Sequence, residues 1–251
     1  MCGFLSAQDS GAALQIAWEP PSVSLPQVLK TYTLEELGKK KEGTLNEVDP
    51  LAGDATQPVR FTGPSLAALV EETMKGLSAA DRATTDLVVL RARNGKEVLM
   101  PKAFLVKYPQ IQLALKKNGQ ALGEAGPRIV LPATTNSKIK SENILLEPLF
   151  VSELAQVTLT SYDRRFGSFL LKRRTDPAAM RGEKLFLQNC VSCHTQPQGA
   201  LNALATADKV ERLAGGEHPE ARGVREFRSL FDKKATRSLS SYLEAFRFQI
   251  R

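Results

Sequence analysis

Apolar positions recur at helical spacing in three stretches of the chain and alternate in several short runs, and the two textures occupy different regions. Leu66, Leu69, Val70 and Met74 fall on one face of a helix predicted to follow the Gly63-Pro64 pair. Further along, Gly182, Leu185, Phe186 and Asn189 share a face, and Leu239, Tyr242, Leu243 and Phe246 repeat at i, i+3, i+4 and i+7. Asp176-Pro177 starts the first of these two C-terminal helices, with a capping carboxylate and a proline at the first helical position. The short runs lie earlier. Residues 28–32 read as a strand leading into the capping box Thr33-Leu34-Glu35-Glu36. Residues 86–93 read as a strand ended by the turn pair Asn94-Gly95, with residues 97–100 as the hairpin partner. A second turn pair, Asn118-Gly119, follows Leu113-Ala114-Leu115, and residues 128–131 and 157–159 complete a mixed set. The pattern predicts an α+β protein: a mixed α/β domain over residues 25–162, a linker over 163–175 and an all-α domain over 176–251, with residues 1–24 as a tail.

Composition supports two modest domains. The chain has 251 residues, of which 42% are hydrophobic and 24% charged, close to globular averages, so a sizeable core can be buried. No apolar run approaches the roughly 18 residues needed to cross a bilayer. The formal charge of +7 concentrates at Lys39-Lys40-Lys41, Arg164-Arg165 and Lys172-Arg173-Arg174. Such runs read first as solvated faces and second as a docking surface for an acidic redox partner. No nucleic-acid motif accompanies them, so nucleic acid is not an expected partner.

The chemistry concentrates in one pentapeptide. Three cysteines cannot build a disulfide framework, and two of them stand in Cys190-Val191-Ser192-Cys193-His194. This spacing places two thiols one turn apart, able to add to the two vinyl groups of a haem while the next imidazole reaches the iron. The expected cofactor is one covalent haem c, held by Cys190 and Cys193, with His194 as proximal iron ligand. The alternatives are a thioredoxin-like dithiol, which expects a strand-to-helix context, and a zinc site, which needs further ligands nearby.

With Arg-Gly-Glu-Lys-Leu-Phe ahead of the motif and Leu-Ser-Ser-Tyr-Leu in the last helix, the segment from about residue 177 to 248 resembles a class I cytochrome c. The resemblance implies that the first and last helices cross at a small residue and aromatics, here Gly182, Phe186 and Tyr242. It also implies a methionine as distal ligand between the motif and the last helix, and here the chain departs from the family. Met1, Met74, Met100 and Met180 all precede Cys190. His218, the only other histidine, follows Gly215-Gly216 and precedes Pro219, so it is the candidate distal ligand; Met180 and an open sixth position are the alternatives. Bis-imidazole ligation gives a potential below that of a His/Met haem.

Thr31-Tyr32-Thr33-Leu34-Glu35-Glu36-Leu37, Gly63-Pro64-Ser65-Leu66-Ala67-Ala68-Leu69, Asn118-Gly119-Gln120-Ala121-Leu122 and Gly126-Pro127-Arg128-Ile129-Val130-Leu131-Pro132 follow one another in an order that resembles the molybdopterin-binding domain of the sulfite oxidase superfamily. That family holds molybdenum through a protein cysteine. Residues 3–189 contain none, and both histidines lie in the haem segment, so molybdopterin is not expected.

Covalent haem attachment takes place outside the cytoplasm, so a periplasmic location with the leader removed is expected. Met1-Cys2-Gly3 followed by a polar stretch suits a lipid on Cys2 and hence membrane association, with Met1 as an added residue; a plain exposed thiol is the alternative. Three functions follow. The first is a periplasmic monohaem electron carrier that is not itself an enzyme, with an α/β domain recognising another redox protein. The second is a haem-containing molybdopterin oxidoreductase of sulfite-dehydrogenase type, with Arg60, Arg91, Arg93, Arg128 and Lys138 as anion-binding candidates. The third is a haem-based gas or redox sensor. The aromatic and basic linker, from Tyr162 to Arg174, is expected to pack at the interdomain seam.

Overall fold

Each predicted turn pair does close a hairpin, and the strands these hairpins feed set the frame of the molecule. The computed structural model describes residues 13–21, 23, 25–49, 51–52, 57–123, 126–197, 199, 210 and 232–249. The strands among them are β1 (Leu14–Trp18), β2 (Gln27–Tyr32), β3 (Glu42–Val48), β4 (Pro58–Pro64), β5 (Leu87–Ala92), β6 (Glu97–Pro101), β7 (Gln112–Ala114), β8 (Lys116–Lys117), β9 (Gln120–Ala121), β10 (Arg128–Val130) and β11 (Leu154–Thr160). The helices are α1 (Leu34–Gly38), α2 (Leu66–Met74), α3 (Ala79–Thr84), α4 (Lys102–Lys107), α5 (Tyr162–Phe166), α6 (Pro177–Asn189) and α7 (Lys233–Gln249). The chain is therefore a mixed α+β protein.

The main sheet runs in the order β2-β1-β11-β5-β6, with a four-stranded sheet β3-β4-β8-β9 and a two-stranded sheet β10-β7 beside it. Gly95 at φ 85° closes β5 onto β6, and Asn118 at φ 51° with Gly119 at φ 81° closes β8 onto β9, the positive φ pair that a two-residue hairpin needs. The Thr33–Glu36 capping box forms on α1, and Leu66, Leu69, Val70 and Met74 are the buried face of α2.

One expectation is corrected. Residues 1–24 were expected as a tail, yet Leu14–Trp18 is an inner strand, parallel to β11 and antiparallel to β2. Leu14 and Ile16 are buried in the main core, so this short alternating run is held by a partner about 140 residues away.

Side-chain alternation along the sheet feeds two cores. Val88 and Leu90 of β5, with Val98 and Met100 of β6, face a core shared with α2 and the 129–151 region. Leu87 and Val89, with Leu99, face the opposite side and pack with Phe169, Leu171, Phe186, Leu239 and Phe246. β5 is thus buried on both faces, and α6 and α7 lie against the second. The connector between sheet and helices is fixed by specific bonds. The Leu171 N–H donates to the buried Glu183 carboxylate, which also accepts from Arg174. The Lys172 N–H donates to Gln249, whose amide donates back to the Leu170 carbonyl. Arg165 forms a two-pronged pair with Glu19 and a third bond to Glu97, and Arg164 donates to the carbonyls of Pro21 and Val23. These two arginines tie α5 to the start of the chain and to β6, so they are not a free solvated run.

The small sheets are joined by a buried carboxylate. Asp49, 3% exposed, accepts from the Leu51 N–H, from Lys117 and from Arg128. Burial pushes its pKa up, but the Lys117 bond, the Leu51 N–H and the Arg128 charge together outweigh this and hold it below the ordinary 3.8. A depressed carboxylate pKa contributes stability that is present above the unfolded value and lost as pH falls through the folded one. The thermal stability advantage of the wild-type chain over Asp49→Asn is therefore expected to be full above about pH 4 and to shrink below it. Melting curves of both chains from pH 7 down to pH 2.5 check this; a difference that does not change with pH counts against it.

Candidate haem-attachment site

The site grows from the end of one helix. Asp176 caps α6 through its carboxylate, which accepts the Ala178 N–H at 2.8 Å, and Pro177 takes the first helical position. Thirteen residues later α6 ends at Cys190. The Cys190 N–H donates to the Phe186 carbonyl, and the Cys190 carbonyl accepts from both Cys193 (3.2 Å) and His194 (2.9 Å). Cys190, Cys193 and His194 therefore leave a single tight turn. Cys190 is buried in the second core, whereas Cys193 is exposed and His194 half-buried. The two thiols are free rather than joined to each other. Burial pushes the Cys190 thiol up to about 12, with Cys193 adding to the shift.

The floor under this turn is the α6–α7 crossing. A Cβ built on Gly182 would stand 2.0 Å from the Ser238 carbonyl oxygen and 2.6 Å from Tyr242 Cβ, so the two backbones meet where only glycine fits. Phe186 and Tyr242 pack with ring centroids 5.4 Å apart, and Phe169 and Phe246 extend the cluster. The Tyr242 hydroxyl donates to the Phe169 carbonyl at 2.8 Å. Burial first, then the Glu183 carboxylate, raise the Tyr242 phenol well above its ordinary value, so it stays a donor. The contact anticipated at Gly182, Phe186 and Tyr242 is present.

Asn189, one residue before Cys190, anchors the turn to the α/β part. Its Oδ1 accepts the Leu145 N–H at 2.9 Å, and its Nδ2 donates to the carbonyls of Asn143 and Leu185 at 3.0 Å each. Asn189→Ala strands the Leu145 N–H and is expected to cost about 1–3 kcal/mol. Urea denaturation of the two chains measures this, and an unchanged midpoint would sink it.

Two alternatives for the motif meet this geometry differently. A thioredoxin-like dithiol wants its first cysteine at a helix N-terminus, where the dipole favours thiolate; here Cys190 sits at the C-terminal end of α6, where it does not. Among the described residues no three of His, Cys, Asp and Glu gather within reach of one metal ion. The donor types, two unjoined thiols and an imidazole in one turn, are those that covalent haem attachment uses, with Cys193 exposed and Cys190 buried in the turn as it stands.

Of the other sequence candidates, His218 and Cys2 lie outside the described residues. Met180 is 41% exposed near the start of α6, about 15 Å along the helix from Cys190, so the structure does not bring it to the turn. The anion candidates are scattered: Arg60 on β4, Arg91 on β5, Arg93 just beyond it, Arg128 engaged by Asp49 and Lys138 exposed in the turn Ser137–Ser141. Asn189 escaped the sequence reading as an anchor because its partners, residues 143–145, lie in a loop with no periodic signal. No helix among the described residues is long and apolar enough to cross a membrane.

No family model matches the chain, and no curated protein does. Among solved structures, the sulfane dehydrogenase SoxCD from Paracoccus pantotrophus is similar over 60% of this chain and 40% of that one, at 13% identity and a TM-score of 0.38. The chain thus spans less than half of that protein's length, and a likeness this low carries no inference about activity.

Proposed function

We propose that this chain is a periplasmic monohaem c-type cytochrome that transfers single electrons, with its α/β part recognising another redox protein. The observation that carries the reading is the turn at the end of α6, which brings together a buried Cys190, an exposed Cys193 and a half-buried His194, the thiols not joined to each other, with the spacing of a haem-attachment motif. The architecture proposed is a domain of sulfite-oxidase-like type that takes in β1 and extends to residue 162, a connector over 163–175 and a cytochrome c domain over 176–251. Haem, when bound, supplies a reversible one-electron couple. Cys190 and Cys193 supply the thioether sulfurs, and His194 the proximal nitrogen. His218 is proposed as the distal ligand. The α6–α7 crossing and the Asn189 anchor hold the attachment turn rigidly, which limits the rearrangement that accompanies electron exchange. The α/β part offers no thiol to molybdenum between residues 3 and 189, so the proposal assigns it no molybdopterin. A lipid on Cys2 would tether the protein to a membrane.

The test is production of the full chain in cells that mature c-type cytochromes. One haem that remains on the chain after denaturation, and no stoichiometric molybdenum, is the expected result; release of all haem on denaturation overturns the reading. Spectra then separate carrier from sensor. A low-spin iron that ignores carbon monoxide and lacks the near-infrared methionine-to-iron band is expected, and His218→Ala is expected to admit carbon monoxide. Carbon monoxide binding to the unmodified protein would favour the sensor.

A further inference from the structure

The seam between the helix pair and the α/β part holds a cleft of about 600 Å³, within the usual range for small-ligand sites. One wall carries Lys107 at the end of α4 and Glu142; the other carries Arg181 and Lys184 of α6 and Lys234 of α7. Phe104 and Leu185, both buried, contribute apolar surface. Four cations face two carboxylates, and both carboxylates are already committed. Glu142 accepts from Lys107 and from the Tyr108 hydroxyl. Asp232 accepts the Ala235 N–H at 2.7 Å, capping α7.

The remaining cations gather on two helices. α7 carries Lys233-Lys234 directly after the Asp232 cap, whose carboxylate already meets the positive end of that helix. Arg181 and Lys184, three apart on α6, are like charges on neighbouring positions of one face. Arg181, Lys184 and Lys234 are exposed and make no ion pair among the described residues, Lys184 adding only a longer-range attraction to Glu142. Positive charge on two helix surfaces that face one concavity raises the local concentration of anions there.

We propose that this cleft is a binding site for a small dianion, held by Arg181, Lys184 and Lys234. Guanidinium and ammonium donors give charge-assisted bonds to carboxylate or oxyanion oxygens, and the apolar surface of Phe104 and Leu185 accommodates a short hydrocarbon body between two acid groups. The site uses none of the motif's own side chains, so binding does not depend on haem being attached.

Calorimetric titration of the full chain with succinate and with sulfate, against chloride at equal ionic strength, tests it. Saturable binding of either dianion, weakened at least tenfold in the double variant Lys184→Glu/Lys234→Glu, is expected. Tighter succinate binding marks an organic source and tighter sulfate binding an inorganic one. Both residues are exposed, so the variant is expected to keep the wild-type melting profile; if it does not, Lys184→Gln/Lys234→Gln gives the same comparison. Binding no different from chloride, or unchanged in the folded variants, overturns the proposal.

Discussion

The chain with Cys190→Ala and Cys193→Ala is expected to retain no haem through denaturation, against one haem per chain for the wild type. Each single replacement leaves one thioether and an attachment that forms in lower yield. His194→Ala leaves both thiols in place but removes the imidazole proposed as proximal ligand, so what attaches is expected to carry an altered ligation spectrum. Mass spectrometry of the denatured chains reads the first effect, and optical spectra of the folded protein read the second. If the double variant keeps covalent haem, the assignment of this turn fails outright. The variants should fold up to the attachment step, because the α6–α7 contacts at Gly182 and the Leu171–Glu183 bond do not involve either sulfur.

Gly182→Ala is expected to have the largest effect on stability. The added methyl would overlap the Ser238 carbonyl and crowd Tyr242 Cβ, and both belong to the packed interior of α7. Forcing the helices apart disturbs the Phe186–Tyr242 and Tyr242–Phe246 packing and the Tyr242 bond to Phe169. Overpacking of this kind costs about 1–3 kcal/mol, and a rigid backbone acceptor puts it near the top of that range. For a chain of this size that is roughly 5–10 °C in melting temperature. Tyr242→Phe, which keeps the rings and removes only the hydroxyl, should cost about 1 kcal/mol. A scan in which Gly182→Ala melts with the wild type would show that the crossing is looser than its geometry.

What could be read from the sequence follows a physical division. Features set by local chemistry were legible: the cap at Asp176-Pro177, the capping box at Thr33 and Glu36, the turn pairs at Asn94-Gly95 and Asn118-Gly119, and the buried stripes of α2, α6 and α7. Features set by distant partners were not. β1 is a five-residue run whose neighbours in the sheet come from both ends of the α/β part, so nothing nearby marks it as an inner strand. β3 is largely polar, and its buried Glu47 is satisfied by the N–H groups of Thr134 and Thr135, 87 and 88 residues away. The candidate site divides the same way. The two thiols and the imidazole of His194 announce themselves by spacing, whereas the Asn189 anchor and the cationic cleft exist only because α6 lies against the loop at residues 141–144.

The two-sided burial of β5 has a consequence for how the chain can be cut. The change of texture near residue 162 suggests two portable pieces, but Leu87, Val89 and Leu99 lean on side chains from the helix pair. Separated near residue 162, the sheet would present that apolar face to water, and the helix pair would lose the surface it packs on. Neither fragment would be a soluble module on its own. The helix pair with its cysteine turn, grafted from this chain onto another carrier, would need β5 and β6, or a substitute surface, to travel with it.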